Sequence, residues 1–242
     1  MPDQQLHLTP SLTPENRERD LRVLRTYFPS ADGLGGYTGG RWDTFDPSGT
    51  RADQANEITS DDLVSLTLLS VNVSADIALQ LLGPMRATLS ALLQDLGPDR
   101  DLVDEPSLDG ERFSPAWALE RELRAVRGLG ATKVSKLMAR KRPRLIPVYD
   151  RVIKATLTGG TGVFWRPLHA ALLADDGALH HRLIALRDDA GLPADVSALR
   201  VLDVLAWMDG QGYSERLLTA TADEQPNASE VAAAEREAEL DD

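Results

Sequence analysis

Apolar residues recur mostly at helical spacing along this chain, and no internal repeat organises them. Leu21, Val23, Leu24, Tyr27 and Phe28 predict a short amphipathic helix ending before Pro29. Thr59 or Ser60 precedes a strongly apolar run and caps an expected helix from Asp61 to Val71, with Asp61 and Asp62 placed favourably in its first turn. Further helices are expected at 74–82, 84–96, 115–126, 131–141 and 150–156, with two or three more between Pro167 and Met208. Residues 102–113 read as a polar loop, and Asp209-Gly210-Gln211-Gly212-Tyr213 as a turn that closes the fold. The expected class is mainly α: a flexible lead over 1–20, one helical domain over 21–220, and an acidic tail over 221–242 that is disordered or frays as a helix.

Within the helical domain, residues 126–154 depart from the pattern around them. Gly128-Leu129-Gly130 suits a tight turn, since glycine reaches positive φ without a Cβ clash. Val134, Leu137 and Met138 then start a helix near Ala131, whose first N–H groups lie at the turn. Such an end favours an anion, and Thr132, Lys133, Ser135 and Lys136 can add side-chain contacts. From Lys133 to Lys154 eight bases (Lys133, Lys136, Arg140, Lys141, Arg142, Arg144, Arg151, Lys154) face one acid, Asp150, for a formal charge of +7. The whole chain carries −12, which argues against general nucleic-acid affinity. Eight acids and one arginine over 221–242 contribute −7 of that, so the remainder carries −5 and holds the cationic segment.

The hairpin and the aspartate beyond it resemble the helix-hairpin-helix DNA glycosylase superfamily. Gly128 and Gly130 stand at that family's two hairpin glycines, and Asp150 follows Gly128 by 22 positions, the family's usual offset for its catalytic aspartate. Pro147-Val148-Tyr149-Asp150 is similar to the approach seen in the adenine-removing branch, and Lys154 falls where that branch places a lysine. The resemblance implies a helix-hairpin-helix element over 126–154 that grips DNA backbone, with Gly128, Gly130, Thr132, Lys133, Lys136, Lys141, Arg144 and Arg151 as its contacts and Asp150 and Lys154 at the chemistry. Arg127 stands where the family has proline. Lys133 lies one place later than the Schiff-base lysine of bifunctional members, which implies a monofunctional enzyme, and without cysteines there is no iron–sulfur cluster. The runs DQANEITSDDLVSLTLLSV and ARKRPRLIPVYD also resemble an uncharacterised bacterial family, from which no activity carries over.

Other candidate chemistry is sparse. Gly33 to Trp42 is glycine-dense but lacks a P-loop's closing lysine and hydroxyl, and reads as a structural loop. No two of His7, His169, His180 and His181 lie four apart, so no metal site is expected. Trp42 and Trp165, in the less regular contexts, are the candidates to stack on an extruded base, whereas Trp117 and Trp207 read as core. Zero cysteines, no membrane-length apolar run and no leader-like segment point to a cytoplasmic protein without cofactor.

Two functions stay open. One is a DNA N-glycosylase-like base-excision hydrolase, in which ionised Asp150 stabilises positive charge on the sugar and activates water. The other is a non-catalytic DNA- or protein-binding module in which Asp150 only caps the following helix. Oligomeric state is not legible.

Overall fold

The computed structural model describes residues 5–30 and 32–219; the acidic tail and the first four residues lie outside that range. Among the described residues no strand forms, and ten α-helices carry the fold: α1 Arg17–Tyr27, α2 Ser60–Ser65, α3 Ala75–Leu82, α4 Arg86–Leu96, α5 Ser114–Arg124, α6 Ala131–Lys141, α7 Arg151–Thr158, α8 Trp165–Asp189, α9 Ala198–Gly210 and α10 Tyr213–Thr219. None is long and apolar enough to cross a membrane.

The core is built around α9. Every residue from Ala198 to Met208 is buried, because SALRVLDVLAWM carries apolar side chains on all faces, broken only by Arg200 and Asp203, which pair with each other. Helices α1, α7, α8 and α10 pack around it. Helix α6 is also largely internal, with all side chains from Val134 to Lys141 buried, while α4 and α5 pair beside it. The apolar side chains of these helices form one connected core.

Most expected helices appear within a few residues of their predicted limits, and the departures have local causes. The lead does not stay apart from the fold: α1 begins at Arg17, Ser11 is fully buried, and the Ser11 N–H and Oγ donate to Asp209 at 2.9 and 2.8 Å. The run expected to be helical to Val71 is α2 followed by a 3₁₀ turn, Leu66–Leu69. It closes there because Ser70 turns left-handed (φ 59°) while Val71 and Ser70 donate back to Leu66 and Thr67, the double bond of a Schellman ending. Helix α8 breaks at residues 174–177, where Asp175, Asp176 and Gly177 take positive φ, so it acts as two shorter helices. The loop over 102–113 is less polar than expected: Leu102, Leu108 and Phe113 are buried, and buried Glu105 draws in Arg100 and Arg112.

The glycine-dense loop is structural. A Cβ on Gly40 would lie 2.4 Å from the Tyr27 carbonyl oxygen and 2.9 Å from the Phe28 Cα, so the absence of a side chain lets this loop pack directly on the end of α1.

Candidate functional site

Residues 126–154 fold as a loop, a helix and a capped helix start. Helix α5 ends at Arg124, the chain turns through Gly128 at φ +90°, and Gly130, in extended conformation, leads into α6. No side chain caps α6, as at α1, α3, α4, α5 and α8, whereas Thr59, Asp150 and Ser197 cap α2, α7 and α9. Lys133 reaches back over the turn, its Nζ 3.2 Å from the Gly128 oxygen. Ser135 joins the two halves: its Oγ donates to the Tyr149 carbonyl (2.8 Å) or the Thr132 carbonyl (3.0 Å), and it accepts from the Tyr149 N–H at 3.1 Å. Leu145 and Ile146 turn back on the Arg142 carbonyl, to which both N–H groups donate (3.1 and 2.9 Å), and the irregular connection from Pro147 to Tyr149 that follows is held against α6 through Ser135.

Asp150 is the N-cap of α7. Its Oδ1 accepts the Ile153 N–H at 2.9 Å, and the residue is only 8% exposed. Its charge is felt by buried Asp203 on α9, whose pKa is pushed up to about 6, first by burial and further by Asp150, against the pull of Arg200 and Lys136. Arg200 sits between Asp43 (3.2 Å from Nε) and Asp203, and also donates to the Gly39 carbonyl (2.9 Å) and the Tyr27 hydroxyl (3.1 Å).

The cationic segment divides into an internal and an external set. Lys136, Arg140, Lys141 and Arg142 are each 6% exposed or less. Lys136 Nζ donates to the Leu69 carbonyl at 2.9 Å. Asp62 receives Arg140 Nε at 3.2 Å and Lys141 Nζ at 2.8 Å, while Arg140 also donates to the Trp42 carbonyl at 2.7 Å and to that of Phe45. Burial lowers the pKa of Lys141, and Asp62 opposes that shift. Arg142 makes five hydrogen bonds, to the carbonyls of Gly97, Ala55, Lys141 and Leu93 and to Asn56 Oδ1.

This arrangement corrects part of the expected contact set. Lys136 and Lys141 cannot reach a phosphate outside the protein, because their ammonium groups serve internal carbonyls and Asp62. Thr132 is also buried. Arg144 is exposed but engaged by Asp101 (Nε to Oδ1 3.0 Å), with its backbone N–H on Asp99 at 3.1 Å. Trp42, a candidate for base stacking, is 1% exposed and packed beneath the Arg140 and Arg200 guanidinium groups. A base has no access to it.

The external set is Arg124, Arg127, Arg151 and Lys154, all exposed, together with half-buried Lys133. A cleft of about 200 Å³ opens beside it, walled by Val134, Met138, Tyr149, Phe164 and Trp165, with Glu120 and Arg124 of α5 also lining it. Lys154 lies over its edge, where a Cβ on Gly162 would come within 3.4 Å of the lysine Cε. Trp165 is thus placed where a planar group could meet it, backed by Trp117 and Phe113 at centroid distances of 5.0 and 5.8 Å. Asp150 does not line this cleft.

The burial of these charges is not legible in the basic run itself, whose composition suits a surface face. A usable signal lay in α9, where Arg200 and Asp203, three apart, interrupt an otherwise apolar helix. Charges embedded in such a helix must find partners inside.

No curated protein and no solved structure matches this chain significantly. A family model does match over residues 21–210, which run from within α1 to the end of α9 and include both halves of the site. The chain belongs to that family, described as a family of unknown function, DUF6308.

Proposed function

We propose that this chain binds nucleic-acid backbone through a helix-hairpin-helix element centred on Gly128 to Lys133, as a non-catalytic module in which Asp150 is a helix cap. The observation that carries the reading is the uncapped start of α6 at a positive-φ glycine turn, with Arg127 adjoining Gly128, Lys133 Nζ over the turn and Arg124 sharing a cleft with Ala131; exposed Arg151 and Lys154 follow at the start of α7. Backbone N–H groups at a helix start and nearby cations favour a phosphate for the same electrostatic reason. The four buried cations take no part, and Glu120 and Glu122 on α5 limit the positive field, so the affinity is modest and strongly salt-dependent.

The test is duplex affinity across a salt titration for wild type and for Arg127→Ala/Lys133→Ala. If each side chain neutralises one phosphate, the double variant loses roughly two units of log–log salt slope, about 0.9 per contact. Binding equal to wild type at every salt concentration refutes the proposal.

The aromatic cleft favours a second reading, a base-excision hydrolase that receives an extruded base against Trp165. It ranks second because the Asp150 carboxylate is engaged by its own helix and does not line the cleft. Release of a base from damaged duplexes by wild type, lost in Asp150→Asn, would reverse the ranking.

A further inference from the structure

On the face formed by α1 and α10, Arg19, Arg22 and Arg25 lie three residues apart along one helix and line a groove of about 340 Å³ with Glu18, Thr26 and Leu218. Arg19 is committed to Asp209. Arg22 and Arg25 are exposed, and they donate to carbonyl oxygens, those of Leu217 (3.3 Å) and Asp189 (2.7 Å). Neither meets a carboxylate among the described residues. Leu218 is 46% exposed at the groove's edge, an apolar side chain beside two cations.

The chain leaves the described fold at this same place. Leu217, whose carbonyl Arg22 touches, and Leu218, which lines the groove, are the last residues but one or two of α10. The sequence beyond them carries eight acids and one base over 221–242. Asp223 and Glu224 follow the end of α10 by four and five residues, a reach of up to roughly 14–18 Å at about 3.3–3.6 Å per residue.

We infer that the arginine groove on α1 is the docking surface for the chain's own acidic C-terminal segment, residues 221–242, through its carboxylates. The argument is charge complementarity combined with tethering. Exposed ion pairs are individually weak and screened by salt, but a short tether holds the partner at an effective concentration in the millimolar range. The contact is thus intramolecular and salt-sensitive.

The experiment uses the full chain, which has no cysteines, so spin labels attach only where cysteines are introduced. Labels at Glu15→Cys, three residues before the groove's Glu18, and Ser229→Cys, in the acidic segment, report their separation by pulsed spin resonance. In low salt the expected distance distribution is narrow. It broadens in about 1 M salt, where the screening length falls to about 3 Å, and in Arg22→Glu/Arg25→Glu. Neutralising the other side by Asp223→Asn/Glu224→Gln gives the same broadening without touching the helical core, so a folding defect in the arginine variant does not decide the outcome. A broad distribution in wild type, or a narrow one that ignores salt and both variants, overturns the inference. A short distance that appears only as protein concentration rises assigns the groove to another copy's segment and overturns the intramolecular arrangement.

Discussion

Replacing Arg142 with lysine separates what a buried cation does by its charge from what it does by its shape. Arg142 is 1% exposed, and its guanidinium donates five hydrogen bonds that tie the end of α6 to the 55–56 loop, to α4 and to Gly97. A lysine keeps the charge but offers three donors from one nitrogen, so two of those five acceptors lose their partner. A buried acceptor left unserved costs about 1–3 kcal/mol, which places Arg142→Lys near 4 kcal/mol. In a domain of this size each kcal/mol lowers Tm by roughly 2–4 °C, giving a drop of about 12 °C in a thermal melt. Arg127→Ala, on the surface, is expected to change Tm by less than about 2 °C, since exposed substitutions usually fall within about 0.5 kcal/mol. If Arg142→Lys melts within 2 °C of wild type, the guanidinium is not serving these carbonyls, and the division of the basic segment into internal and external sets fails.

Three further outcomes are expected. Asp150→Asn retains an acceptor for the Ile153 N–H, so stability changes by about 1 kcal/mol or less, while Asp150→Ala costs about 1–2 kcal/mol; a fully neutral alanine variant in denaturant titration would remove the cap from the account. Asp203 is raised to about 6 from an ordinary 3.8, so its contribution to stability is fully present below pH 4 and is lost as pH rises through 6. The Tm of Asp203→Asn relative to wild type is therefore expected to climb between pH 4 and 7, and a flat difference would contradict the shift. Gly40→Ala is expected to destabilise by about 1–3 kcal/mol through overpacking against Tyr27 and Phe28, and an unchanged melt would mean that the loop does not pack there.

The helices were legible because their apolar spacing and start signals agree, as at Thr59 with Asp62 and at Asp150 with Ile153. The direction in which the cations of α6 point was not. Helical spacing assigns residues to faces, but which face is internal depends on what packs against it. Here the irregular stretch from Trp42 to Asn56, which carries no helical pattern, offers carbonyl oxygens to Arg140, Lys141 and Arg142. The cleft was legible only in part, through Trp165, since Met138, Tyr149 and Phe164 join it by tertiary packing.

That irregular stretch has a kinetic consequence. Between Trp42 and Asn56 the chain forms only turns, and the donors from α6 that hold its carbonyls lie 86 to 98 residues away in sequence. Contacts so distant form only after a long loop has closed, and loop closure is entropically unfavourable until the closing contacts exist. The stretch therefore orders late, when α6 docks, and is among the first parts released when α6 lifts. Brief proteolysis in mild denaturant should cut between Trp42 and Asn56 before it cuts α9, and the rate of that early cut reports how often α6 leaves its seat.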